Sequence, residues 1–231
     1  DVGHEAVGTP AIGPEQIEFK PSSERRRHLK RRSPSSLEGG ERVTLAPIIE
    51  RTEGNLGLQY GKLIHAWFEL IEWLDEGPPS KEKRCEAAAL CEANAVLGKA
   101  WDDFDAMLAR PAISAALHRA AYGDYLKRGW RLAARNEFPF AYRDGDVLMN
   151  GSIDRFVRVY DGDKLVAAEI IDFKTDDIKK SGGKSLKCKT DYYRPQVAAY
   201  RRAVANMSGL DAANISATLV LVRFGTLQYL G

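Results

Sequence analysis

Apolar residues recur at spacings of three and four through Ile64, Trp67, Phe68, Ile71 and Leu74. This is the stripe of an amphipathic helix, predicted over Leu56 to Leu74. Gly77-Pro78-Pro79 stops it. Lys81 to Arg110 is Ala-rich and predicts one or two more helices, ended near Pro111, and residues 112 to 121 predict a short helix. The period then shortens. Arg135 to Tyr142, Val147 to Tyr160 and Lys164 to Lys174 read as strands, joined by the hairpin signals Asp144-Gly145-Asp146 and Asp161-Gly162-Asp163. Asp191 to Asn206 returns to helical spacing, and the continuous apolar stretch of Ile215 to Arg223 predicts a last strand. Helices, a three-stranded meander, a helix and a further strand predict a mixed α/β fold with a helical region ahead of the sheet.

Residues 1 to 45 lack this periodicity. They are rich in Gly, Pro, Ser and charge, and read as a basic, partly disordered linker, with the domain proper at 46–231. Hydrophobic residues make up 44% of the chain, enough for a core, and the net charge of +2 says little about partners. The basic charge is concentrated in residues 20 to 32 and 179 to 189. Such runs by themselves read as solvated tails or loops. No apolar run reaches membrane-spanning length and no secretory leader opens the chain. Cys85, Cys91 and Cys188 show no paired spacing and fall short of a four-cysteine zinc or iron–sulfur site. The chain begins at Asp1, without an initiator Met, and is expected to be a segment of something longer. Gly57 to Lys62 has the wrong spacing for a phosphate loop, and Leu63 stands where Ser or Thr is required, so no ATP site is expected.

The candidate chemistry lies on the meander. Gly151-Ser152-Ile153-Asp154 is followed by Ile170-Ile171-Asp172-Phe173-Lys174-Thr175, an acid and then an acid-x-lysine, each in an apolar run. Alternation projects Asp172 and Lys174 from the same face of a sheet. A three-residue loop at Asp161 to Asp163 would set Asp154 opposite Ile170 and Asp172 opposite Ser152. The two acids would then be diagonal neighbours roughly 7–8 Å apart at the backbone. A two-residue loop would send them to opposite faces. The first hairpin brings Glu137 opposite Ser152 or Ile153. Clustered carboxylates need a cation to be tolerable, and oxygen ligands beside an amine suit Mg²⁺ or Mn²⁺ better than zinc.

These strings, followed by Tyr193-Arg194-Pro195-Gln196-Val197-Ala198-Ala199-Tyr200, resemble the PD-(D/E)XK nuclease superfamily. The closer likeness is to the RecB/AddA-type nuclease domain joined to UvrD/Rep-like (superfamily 1) helicases, with its ordered G-x-x-D, D-x-K and Q-x-x-x-Y motifs. Arg32-Ser33-Pro34-Ser35-Ser36-Leu37 resembles the segment where that nuclease part begins, and Gly61-Lys62-Leu63-Ile64-His65 resembles its G-x-x-x-H. The likeness spans about residues 32 to 224. It implies a restriction-endonuclease-like core and a Mg²⁺-dependent deoxyribonuclease, with Mn²⁺ as a substitute. It further implies metal ligation by His65, Asp154, Asp172 and the Phe173 carbonyl, with Lys174 steadying the attacking water and Glu137 as an auxiliary acid. Gln196 and Tyr200, four apart on one helix face, would line the site. Lys179, Lys180, Lys184, Lys187 and Lys189, on the loop at its mouth, would track a phosphate backbone.

The implied setting is double-strand-break processing in the bacterial cytoplasm, at the nucleoid. The partners would be single-stranded or end-processed DNA, a helicase domain N-terminal to Asp1 and an AddB/RecC-like subunit, with no membrane. The iron–sulfur subset of the family needs four cysteines, so no cluster is expected. The rival reading is a catalytically silent DNA-end-binding module. Intact Asp154, Asp172 and Lys174 argue against it.

Overall fold

The computed structural model describes residues 30–38, 53–176 and 186–230. Its helices are α1 (Glu53–Glu69), α2 (Lys81–Leu90), α3 (Leu97–Leu108), α4 (Pro111–Leu117), α5 (Gly123–Lys127) and α6 (Leu186–Ser208). Its strands are β1 (Lys30–Arg32), β2 (Arg131–Asp144), β3 (Val147–Asp161), β4 (Lys164–Lys174), β5 (Ile215–Leu221) and β6 (Thr226–Tyr229). They form one mixed six-stranded sheet, as the mixed α/β reading predicts. Strands β2, β3 and β4 are the predicted meander, and α6 carries the chain from β4 to the parallel strand β5. Among the described residues no helix is long and apolar enough to cross a membrane.

Two apolar layers sandwich the sheet. On one side Tyr60, Leu63, Ile64, Trp67 and Phe68 of α1 pack with Phe104 and Met107 of α3 against Ile171, Phe173, Val220 and Val222. On the other, Val197, Ala199, Tyr200, Ala203 and Val204 of α6 cover Phe156, Ile170 and Ala217. Odd and even positions of β4 feed opposite layers, as strand geometry requires.

Four features depart from expectation. The first is the end of α1, which stops at Glu69 although the apolar stripe runs on to Leu74. The carbonyls beyond that point are taken by side chains from the sheet. Asn136 Nδ2 donates to the Glu69 and Ile71 carbonyls at 2.8 and 2.7 Å, and Arg155 donates to those of Ile71 and Glu72 at 2.9 and 2.6 Å. The Glu69 carbonyl belongs to the last turn and needs such a partner, while the other bonds fix the segment that follows the helix.

The second concerns the linker. Lys30–Arg32 pairs in parallel with Val147–Met149, and Pro34 is buried. Its Cδ lies 3.0 Å from where a Cβ on Gly151 would stand, so the glycine makes room for the segment. The sheet thus recruits part of a stretch read from composition as linker.

The third is the second hairpin. Asp161 pairs with Lys164, leaving a two-residue turn with Gly162 at φ 56°. Unbroken alternation from that turn would separate the acids. A bulge intervenes: Tyr160 pairs with Leu165 but Val159 pairs with Ala167, so Val166 is the extra residue. The added residue shifts the side-chain phase by one. The ladder ends at Arg155 opposite Ile171, and its register continued by one step brings Asp154 level with Asp172. The acids are thus brought close enough for the charge of Asp172 to act on Asp154. The same arithmetic in the first hairpin sets Glu137 opposite Asp154, between the pairs Asn136–Arg155 and Phe138–Ile153, one residue from the expected place.

The fourth is at the chain's end, where β5 stops at Leu221 and a turn leads into β6, an unpredicted antiparallel edge strand.

Candidate functional site

Strand β3 is flanked on one edge by β1 at residues 147–149 and by β4 from Arg155 onward. Residues 150–154 lie in the notch between them. Here β2 and β3 also switch sides. Val157, Leu132 and Ala134 pack with Trp73 and Tyr122. Ile153, Phe138 and Phe140 pack instead in the cluster covered by α6. Val157 and Ile153 are four apart, so a regular strand would keep them on one face. The reversal centres on Glu137 and Asp154. Glu137 has φ 45°, a left-handed backbone that is costly for a residue with a Cβ. Such strain persists where surrounding contacts enforce it, often at functional sites.

His65 comes to this point from α1. Gly61 lets the helix approach closely, because a Cβ there would lie 3.1 Å from Thr175 Oγ1. Phe173 stacks on Phe68 with ring centroids 4.4 Å apart, which ties the strand between Asp172 and Lys174 to the helix carrying His65. His65 Nδ1 lies 3.5 Å from Asp154 Oδ2, and that oxygen also accepts from the Phe173 N–H at 2.8 Å. His65, Glu137 and Asp154 each offer a ligand atom, all within 4.8 Å of one another. A cleft of about 750 Å³ opens beside them, lined by Gly61, Lys62, His65, Glu69, Glu137 and Thr175.

Asp172 stands behind this group, 1% exposed. Neither of its oxygens accepts a hydrogen bond of good geometry among the described residues. Lys174 Nζ lies 3.1 Å from its Oδ2 as an ion pair, and 3.7 Å from Glu38 Oε1 on the other side. One ammonium beside two buried acids leaves negative charge uncompensated and Asp172 Oδ1 without a partner among the described residues, which suits a further cation.

The electrostatics agree. Burial pushes the Asp154 carboxyl well above the usual carboxylate range and the Asp172 charge pushes it further, against Lys174 and the Phe173 N–H. Burial lowers the His65 pKa, favouring the neutral imidazole that can ligate. Burial by itself would lower the Lys174 pKa, but Asp172, Asp154 and Glu38 outweigh it and the net shift is upward. Lys174 therefore remains an ammonium.

A carboxyl that holds its proton more tightly when folded destabilises the fold as it ionises. In EDTA the unfolding midpoint of the wild type is expected to fall, relative to Asp154→Asn, as pH rises above 3.8, the ordinary aspartate value, through the raised range of Asp154. Parallel melting profiles for the two proteins would refute this.

The remaining expected residues are less centrally placed. Gln196 and Tyr200 are buried on α6, where Gln196 Nε2 donates to the Tyr200 hydroxyl at 3.1 Å. Tyr200 also packs edge-on against Phe140. Burial, then Asp172 and Asp154, raise its pKa, so it keeps its proton and faces the acids from behind. Lys187 and Lys189 are in the first turns of α6 instead of a loop, because the helix begins at Leu186. Lys187 is exposed, while Lys189 pairs with Asp176 at 3.2 Å. Lys179, Lys180 and Lys184 lie outside the described residues.

Glu38 was not foreseen. The only available signal was an acid directly after the Ser33–Leu37 run. Asp176 was missed as well; it is held by the Tyr193 hydroxyl as well as by Lys189. A family model described as the PD-(D/E)XK nuclease superfamily matches residues 37–228. Among curated proteins, none matches the chain.

Proposed function

Since the chain belongs to the PD-(D/E)XK nuclease superfamily, we propose that it is a Mg²⁺-dependent deoxyribonuclease domain that hydrolyses phosphodiester bonds at the Asp154–Asp172 notch. The observation that carries this reading is the Asp172 carboxylate, buried, paired with Lys174 but with an oxygen left unpartnered among the described residues, and close to a second acid whose ionisation is suppressed.

In this reading Asp154, Asp172, His65 and the Phe173 carbonyl hold the cation, with Glu137 as an auxiliary acid. A bound divalent cation supplies Lewis-acid polarisation and charge neutralisation at the scissile phosphate. Lys174 orients the attacking water by donating to it, and offsets the charge that builds on the phosphate oxygens. Its raised pKa suits a donor and not a base. Gln196 and Tyr200 act from behind, holding Asp172 and its strand in place. Lys187, with Lys179, Lys180, Lys184 and Lys189, guides the DNA backbone. The resemblance to RecB/AddA-type domains supports a wider reading: strands delivered by a linked helicase, with an AddB/RecC-like partner, in the repair of double-strand breaks in the cytoplasm.

The test is cleavage of labelled single- and double-stranded DNA in Mg²⁺, Mn²⁺ or EDTA, across a salt titration. Cutting is expected with either metal and none in EDTA. Undiminished cutting in EDTA would overturn the metal-dependent reading.

A further inference from the structure

We propose that Glu38 is a positioning residue that holds the Lys174 ammonium in line with the phosphate. This rests on the reading of Lys174 as the group that steadies the attacking water. Lys174 carries a long, freely rotating stem, and a donor at its end is effective only when its place is set. Three contacts set it. Asp172 Oδ2 lies 3.1 Å from Nζ and Glu38 Oε1 lies 3.7 Å away. The Tyr193 ring lies beneath, its centroid 4.6 Å from Nζ.

Asp172 offers its Oδ2 to Lys174. A divalent cation held by the same carboxylate would reduce the negative charge that it presents to Lys174. Asp176 is already engaged by the Tyr193 hydroxyl and Lys189. Glu38, with only 23% of its side chain exposed, is a second carboxylate on the ammonium, and unlike Asp172 and Asp154 it lies outside the proposed ligand set.

The placement of Glu38 is built by tertiary contacts. The parallel pairing of β1 with β3, the seat of Pro34 on Gly151 and the burial of Leu37 against the α6 cluster all fix the segment that ends in Glu38. Its N–H closes the turn on the Ser35 carbonyl at 3.2 Å. A stretch far from the catalytic strands in sequence thus delivers a carboxylate to the lysine.

The experiment compares wild type, Glu38→Gln, Glu38→Asp and Lys174→Ala in cleavage of a labelled single-stranded oligonucleotide with Mg²⁺. A second readout needs no activity: the ¹H–¹⁵N signal of the Lys174 ammonium group in Mg²⁺-loaded, DNA-free protein, assigned with Lys174→Arg. For Glu38→Gln, kcat is expected to fall about 10–100-fold, the usual range for partners that orient a catalytic group, with KM nearly unchanged. Glu38→Asp should recover part of that loss. The ammonium signal should be slowly exchanging in wild type and broadened in Glu38→Gln. An unchanged signal overturns the proposal whatever the activity, and so does unchanged kcat in Glu38→Gln when Lys174→Ala is inactive. Equal losses in the Gln and Asp variants that track their folded fraction would mark a purely structural role and also overturn it. Wild-type kcat in Lys174→Ala would overturn the reading of Lys174, and the proposal with it.

Discussion

Asp172→Asn is expected to lose cleavage on the order of 10³-fold, while melting at a higher temperature than the wild type in EDTA. Both effects follow from one feature, a buried carboxylate that shares one ammonium with other acids and has an oxygen unpartnered among the described residues. A ligand to a catalytic cation supplies several kcal/mol of transition-state stabilisation, and about 1.4 kcal/mol is tenfold in rate. The stability effect follows from the local charges. Asp172, Asp154 and Glu38 surround Lys174, and Glu137 adds a fourth acid beside His65, whose imidazole burial keeps neutral. Removing one acid still leaves Lys174 its counter-charges and relieves the facing carboxylates. A gain of about 1–3 kcal/mol is expected, the usual size of an unsatisfied buried group. Addition of Mg²⁺ should raise the melting temperature of the wild type and not of the variant. Cleavage within tenfold of wild type would remove Asp172 from the ligand set. A lower melting temperature in EDTA would mean that its pairing with Lys174 outweighs the repulsion.

Arg155→Ala is expected to cost about 3–5 kcal/mol, measured as the shift in urea denaturation, the size of a large-to-small change in a packed core that also leaves hydrogen-bond acceptors unpaired. Arg155 is 0% exposed. Its guanidinium donates to the Ile71 and Glu72 carbonyls at 2.9 and 2.6 Å and to Asn136 Oδ1 at 3.1 Å, and lies 4.8 Å from the Trp73 ring centroid. Alanine would leave those carbonyls unpaired and open a cavity in a packed layer. Arg155→Lys should recover only part of the loss, because a point charge cannot bridge two carbonyls as a planar fork does. The damage should spread to the candidate site, since the same contacts fix the segment directly after the helix that carries His65. Weaker Mg²⁺ binding is therefore expected alongside the lost stability. A loss below about 1 kcal/mol would show that the end of α1 holds by other means.

Neither the spacing of apolar residues nor any motif points to Arg155. It reads as an ordinary charge following Asp154, in a strand expected to alternate. Its importance appears only when β3 meets the end of α1, across a sequence separation of 84 residues. Glu38 is illegible for the same reason, since it reaches Lys174 only through the docking of β1 and Pro34. The second hairpin is more instructive. A reader of the sequence can set the loop at two residues or three. The two-residue turn that forms would separate the acids, and the bulge at Val166 brings them back to one face. Nothing about Val166 in isolation marks it as the extra residue, because a bulge depends on how both strands and their neighbours fit.

What the sequence by itself determined is therefore local. Periodicity selected the helices and the meander, because side-chain direction repeats with the backbone of each element. It also placed Asp172 and Lys174 on one face, with Phe173 pointing to the other layer. The order of the motifs along the chain was enough to identify the family. Only the tertiary structure decided which residues meet: Asp154 near Asp172, Glu137 strained beside His65, Glu38 against Lys174, and Arg155 on the segment after α1. These depend on small register changes and on partners far apart in the chain. Their energies arise only when buried groups lose water and must find one another, and no local pattern records that.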